Sequence, residues 1–127
     1  MTQSGANVAE IEEKFYRLWY QIGTKLACKS SLVAFESINE PPAETQAHGT
    51  EINKLNEIFI KAINDAGGFN DKRVVNLAGG ASDSVKTSQW FKAPADIKNP
   101  YAIQFHYYAP CTSQLYPYRG DSLTMFL

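Results

Sequence analysis

The chain has 127 residues, a formal net charge of −1 at pH 7, 44% hydrophobic and 13% aromatic residues, the composition of one ordinary globular domain rather than of a disordered chain. Near-neutral charge without a Lys/Arg-rich run removes the electrostatic footprint of nucleic-acid binding, and no run of about 18 apolar residues is available to cross a membrane. The opening Met1-Thr2-Gln3-Ser4-Gly5 lacks the basic and apolar regions of a signal peptide.

Val8, Ile11, Phe15, Leu18, Trp19, Ile22 and Leu26 step by three or four, which predicts an amphipathic helix from about Asn7 to Cys28. Asn7 with Glu10 imitates a capping box, and Lys25 and Lys29 suit the far end of the helix dipole. Lys29-Ser30-Ser31 then reads as a turn into the strand Leu32-Val33-Ala34-Phe35, a continuous apolar run of the kind buried on both faces. Beyond Pro41-Pro42 a polar loop holding His48 leads to a second amphipathic helix near Thr50, with Ile52, Leu55, Ile58, Phe59, Ala62, Ile63 and Ala66 inward and Gly67-Gly68 ending it. Arg73 to Leu77 reads as the next strand with Gly79-Gly80 as its terminating turn, Ser82 to Phe91 as a short helix, and Tyr101 to Tyr107 as a third strand. Alternating helices and strands favour parallel strands joined by right-handed crossovers. After Tyr108 the pattern fades: residues 111–127 read as an irregular tail and residues 1–110 as the domain, with no closing element predicted. Cys28 and Cys111 could pair in an oxidising compartment, but two thiols without a supporting framework are more often isolated, and they fix no compartment.

Asn39-Glu40-Pro41 places an amide and a carboxylic acid at the end of the first apolar run, and parallel sheets gather their chemistry at the C-terminal ends of strands. Pro41 removes a backbone donor and biases Glu40 toward extended geometry. Taken singly, each residue has a plainer reading. A Glu before Pro is usually a solvated loop acid, His106 could be a satisfied core histidine, and Tyr107 and Tyr108 could be strand packing. Trp90-Phe91 could be a sugar-stacking platform but is more often core, and Glu36 is expected to be a buried, hydrogen-bonded acid. His48 is assigned no role.

Three linked segments nevertheless resemble glycoside hydrolase family 5, the cellulase family. Leu18 to Leu26 resembles the helix before the family's fourth barrel strand, Phe35-Glu36-Ser37-Ile38-Asn39-Glu40-Pro41 resembles that strand with its Asn-Glu-Pro signature, and Ile103-Gln104-Phe105-His106-Tyr107-Tyr108 resembles the sixth. The resemblance covers most of the chain from Val8 to about Pro110 and implies an α/β fold, a partial (β/α)8 TIM barrel of about strands four to six. It also implies a retaining glycosidase, in which one carboxylic acid protonates the departing oxygen and a second carboxylate about 5 Å away attacks the anomeric carbon.

By the same resemblance Glu40 matches the catalytic acid/base, Asn39 the residue that binds the sugar 2-hydroxyl, and His106 and Tyr108 the pair lining that subsite. The implied partner is a β-glucan polysaccharide or oligosaccharide, with no cofactor or metal, and extracellular action by a fungal-like enzyme. Residues 64–69 look more like the endoglucanase branch, while mannan, xyloglucan and β-1,6-linked chains stay open.

A whole barrel takes roughly 250 residues, and the family's nucleophile, a glutamate ending the seventh strand, has no match here. The only carboxylate beyond Tyr108 is Asp121, in an unmatched context. An inactive fragment with unpaired sheet edges is therefore expected. Two other readings are a non-catalytic carbohydrate-binding remnant and a small α/β ligand-binding domain. Gly79-Gly80 gives the latter no phosphate loop, since it lacks the Lys-Ser/Thr or third glycine that would follow.

Overall fold

The computed structural model describes residues 5–107 and 123–126. Helix α1 spans Val8–Leu26, strand β1 Phe35–Glu36, helix α2 Gln46–Asp65, strand β2 Val75–Asp83, helix α3 Ser84–Trp90, strand β3 Tyr101–Tyr107 and strand β4 Leu123–Phe126. The sheet order is β1-β2-β3-β4, with the first three strands parallel. Strand β4, where no element was predicted, runs antiparallel along β3 and pairs Tyr107 with Leu123 and Gln104 with Phe126.

The core lies between the sheet and α1 and α2. Phe35, Val75 and Leu77 from the strands meet Phe59, Ile60 and Ile63 of α2, with Phe15, Trp19, Ile22 and Leu26 of α1 closing over them. Trp19 packs edge-on to Phe59 with ring centroids 4.5 Å apart, a geometry that suits the aromatic quadrupoles. Strand residues alternate between faces. The register Glu36–Asn76–Ala102 therefore lies on the face away from the helices, which Gln104 and His106 share along β3.

Helix α1 forms as its periodicity requires. The Asn7 side chain accepts the Glu10 N–H as N-cap, although the helix stops two residues before Cys28, an exposed free thiol. Helix α2 starts four residues earlier than predicted. Thr45 caps it by accepting the His48 N–H at 3.3 Å, and Nδ1 of His48 reaches back to accept the Glu44 N–H at 3.0 Å. His48 thus stands in the first helical turn, not in a loop, and does the work that Glu or Gln does in a capping box.

The predicted strand Leu32–Phe35 shrinks to Phe35–Glu36, with Leu32 94% and Val33 46% exposed. Arg73 is the physical reason. Fully buried, it donates to the carbonyls of Leu26, Lys29, Ser30 and Val33 at 2.5 to 3.1 Å. Those carbonyls close the end of α1 and hold residues 29–33 in turns, so they cannot enter a ladder.

Strand β2 continues through Gly79-Gly80 instead of ending there. A Cβ on Gly79 would lie 2.0 Å from Oγ1 of Thr87, and one on Gly80 3.0 Å from the Trp90 ring. The glycines let α3 lie flat on the strand. Trp90 also packs on Gly49 and joins Ala43, Ile52 and Ala78 in a second core cluster, so it packs on the helix side of the sheet.

At the far end of α2, Asp65 accepts from Lys61 and from the Tyr16 hydroxyl at 2.6 Å. The Lys61 ammonium, then the Tyr16 hydroxyl, hold the Asp65 carboxyl below the usual carboxylate range, and its hydrogen bond to Asp65 pushes the Tyr16 hydroxyl up. A depressed folded value adds stability above the unfolded pKa of about 4 and loses it as pH falls through the folded value. Asp65→Asn should therefore lower Tm slightly at pH 7, the cluster being largely exposed. Thermal unfolding should show wild type and variant converging as the pH falls through the lowered folded value; a Tm gap unchanged at acid pH would assign the effect to something other than this carboxylate.

Candidate active site

Strand β1 ends at Glu36, and the chain continues through Ser37 to Glu40 along the C-terminal end of the parallel sheet. Ser37 keeps one ladder bond, donating to the Asn76 carbonyl at 3.0 Å. Its hydroxyl donates to Oδ1 of Asn56 at 2.7 Å and accepts the Ala78 N–H at 3.2 Å, while Nδ2 of Asn56 donates to the Ala78 carbonyl at 2.9 Å. Both side chains are buried. This closed polar network ties the start of the Asn-Glu-Pro segment to β2 and α2 in a place where unpaired groups would be costly. Neither residue was singled out from the sequence; an Asn inside the buried face of a helix is the signal that could have found Asn56, while Ser37, just past the strand, carries none.

Glu40 departs from the predicted extended backbone: its φ is 44°, in the left-handed region that a non-glycine residue enters at a cost of about 1–2 kcal/mol. Surrounding structure over-determines it. Pro41 is fully buried behind it, and Oε1 of Glu40 meets Nδ1 of His106 in a short hydrogen bond. The His106 side chain is 7% exposed and that of Glu40 44%, so an enclosed imidazole holds a carboxyl that solvent can reach. On its other side, Nε2 of His106 lies 2.9 Å from Nε2 of Gln104, a contact that sequence reasoning missed.

Glu40 and His106, distant in sequence, are thus brought into contact across the tips of β1 and β3. Asn39 is exposed beside Glu40; no hydrogen bond of its side chain is found among the described residues. Tyr108 and Cys111 lie outside the described residues, as does Asp121. Glu36 is half-buried in β1, less enclosed than predicted, and no partner of its carboxylate is found among the described residues. No group of three His, Cys, Asp or Glu side chains able to hold a metal ion is found among the described residues, and no described helix is long and apolar enough to cross a membrane.

Adjacent parallel strands, helices packed against one face and an acid at the strand tips define a sector of a (β/α)8 barrel with its chemistry at the C-terminal end. The chain belongs to the cellulase family, glycosyl hydrolase family 5, whose model matches residues 2–118. It is 34% identical over 99 residues to Endoglucanase H of Acetivibrio thermocellus, covering 77% of this chain and 10% of that enzyme. Against Endoglucanase A of Paenibacillus barcinonensis it is 26% identical over 124 residues, covering 84% of this chain and 31% of the enzyme.

Among solved structures, a family 5 xyloglucanase from Paenibacillus pabuli superposes with a TM-score of 0.77 at 28% identity, over 84% of this chain and 34% of that one. A xyloglucan-specific endo-β-1,4-glucanase from a metagenomic library, in complex with cellotriose, gives a TM-score of 0.73 at 27% identity, over 82% and 33%. The chain spans about a third or less of the length of each of these relatives. The structure is accordingly a partial TIM barrel of a glycoside hydrolase family.

Proposed function

We propose that this chain carries the acid/base portion of a retaining β-glucan hydrolase, with Glu40 protonating the departing glycosidic oxygen and then acting as base on water. Asn39 binds the sugar 2-hydroxyl next to the scissile bond, and His106 and Tyr108 line the same subsite. The observation that carries the reading is the Glu40–His106 contact across the tips of β1 and β3, which joins the two separated signatures at the sheet end where such sites form. Relatives and neighbours named as endoglucanases, and as xyloglucan-specific or cellotriose-bound enzymes, support a β-linked glucan as substrate.

Retention needs a second carboxylate about 5 Å from the first as nucleophile, and no residue here matches the family's. General acid–base help contributes only about 10²–10⁴-fold by itself. The 127 residues alone should therefore release no more product from cellotetraose than their Glu40→Gln variant does, by chromatography of the digest. Cleavage by the chain that the variant lacks would overturn this division of the mechanism. Calorimetry on the same pair separates a carbohydrate-binding remnant, whose affinity survives Glu40→Gln, from a sector with no affinity of its own.

A further inference from the structure

Gln104 and His106 are neighbours on one face of β3, and Gln104 is 2% exposed. A neutral imidazole carries one N–H, and the bonds made by its two nitrogens decide where that proton sits. When Glu40 is ionised it can only accept, and in that state Nδ1 of His106 carries the proton that bridges them. Nε2 is then an acceptor, and the amide N–H of Gln104, 2.9 Å away, is the donor it meets.

This orientation leaves Oε1 of Gln104 as a buried atom without a partner among the described residues. Turning the amide over would strand two N–H donors there instead, and orphaned buried donors are rarer than under-satisfied carbonyl oxygens.

We propose that Gln104 is a positioning residue that locks His106 in the neutral Nδ1–H tautomer, aimed at Glu40. Its meaning for catalysis rests on reading Glu40 as the acid/base. An imidazolium at this place would favour the carboxylate and oppose its reprotonation. An amide donor engages the Nε2 lone pair that a second proton would need, and cannot itself ionise. His106 then donates to Glu40 throughout a proton-transfer cycle while Glu40 stays able to take its proton back.

Among the described residues, the groups that face the imidazole come from the neighbouring strands and from the segment after β1. Glu40 faces it from the segment after β1. Asp83 is its register partner on β2, but Oδ1 of Asp83 caps α3 by accepting the Lys86 N–H at 2.8 Å. On β4 the register partner is Thr124.

Long-range 1H–15N spectra of the imidazoles in the full chain test this directly. The two histidines should show opposite tautomers: His48, whose Nδ1 accepts the Glu44 N–H, as Nε2–H, and His106 as Nδ1–H. Gln104→Leu should mix the His106 tautomers, and Gln104→Glu, which turns the donor into an acceptor, should place a proton on Nε2 of His106. His48 should not move in either variant. An Nε2–H His106 in the wild-type chain overturns the proposal, as does an unchanged tautomer in variants whose amide spectra keep the native pattern. If the leucine variant fails to fold, the isosteric glutamate variant decides. A loss of less than tenfold on Glu40→Gln in a complete barrel carrying this sector would overturn the acid/base reading of Glu40 while leaving the tautomer result intact.

Discussion

Arg73→Met should cost this chain at least about 4 kcal/mol, comparable with the whole stability of a marginal domain of about 5–15 kcal/mol. The guanidinium is fully buried without a carboxylate partner among the described residues, and it is solvated instead by five hydrogen-bond acceptors: the carbonyls of Leu26, Lys29, Ser30 and Val33 and Oδ1 of Asn70. Its charge also faces the Phe35 ring at 4.4 Å, a cation–π contact worth about 2 kcal/mol when desolvated. Methionine fills much of the volume but strands the carbonyls, and a buried acceptor left unmade costs about 1–3 kcal/mol. Arg73→Lys keeps the charge without the fork, so it should recover only part of the loss. Urea unfolding of the three proteins checks the ranking: a methionine variant within about 1 kcal/mol of wild type would show that the carbonyls find water instead.

Grafting residues 5–107 into the matching third of the Paenibacillus pabuli xyloglucanase should give an enzyme that Glu40→Gln slows by about 10²–10⁴-fold. The variant is well controlled. Glutamine keeps the shape of the side chain and an oxygen that can accept from Nδ1 of His106, so the local structure and the left-handed backbone at Glu40 have no new reason to change. What disappears is the proton. Kinetics on xyloglucan should show the loss in kcat, with KM changing far less, because the missing interaction acts in the transition state. A loss under tenfold would reassign Glu40 to binding or structure.

Sequence patterns located the elements best where local chemistry decides them. The α1 stripe from Val8 to Leu26 and the run Tyr101–Tyr107 match the observed α1 and β3 closely, since one apolar period or one β-rich run suffices to specify each. Errors gathered where a distant residue intervenes. The segment Leu32–Ala34 is as apolar as a buried strand, yet Arg73, some forty residues on, takes the carbonyls of Ser30 before it and of Val33 within it, and nothing local announces that. Gly79-Gly80 looks like a turn in sequence and is instead the clearance that Thr87 and Trp90 require.

The site was legible in part for the same reason. The Asn-Glu-Pro and His-x-Tyr signatures pointed to Glu40 and His106, and the structure brings those two together. The ties behind them, Ser37 to Asn56 and Gln104 to His106, are made by single polar residues. Their meaning appears only when the partner across the fold is known. The backbone at Glu40 is a further case: Pro41 argued for an extended residue, and burial of that proline together with the His106 contact imposed the opposite.

The most direct test of the glycan site is an NMR titration of the chain with cellotetraose. Shifts confined to Asn39, Glu40, His106 and Tyr108, with His48 and Trp90 on the helix side unmoved, are the expected result. Shifts that spare Glu40 and His106 while appearing along α1, α2 or α3 would contradict it.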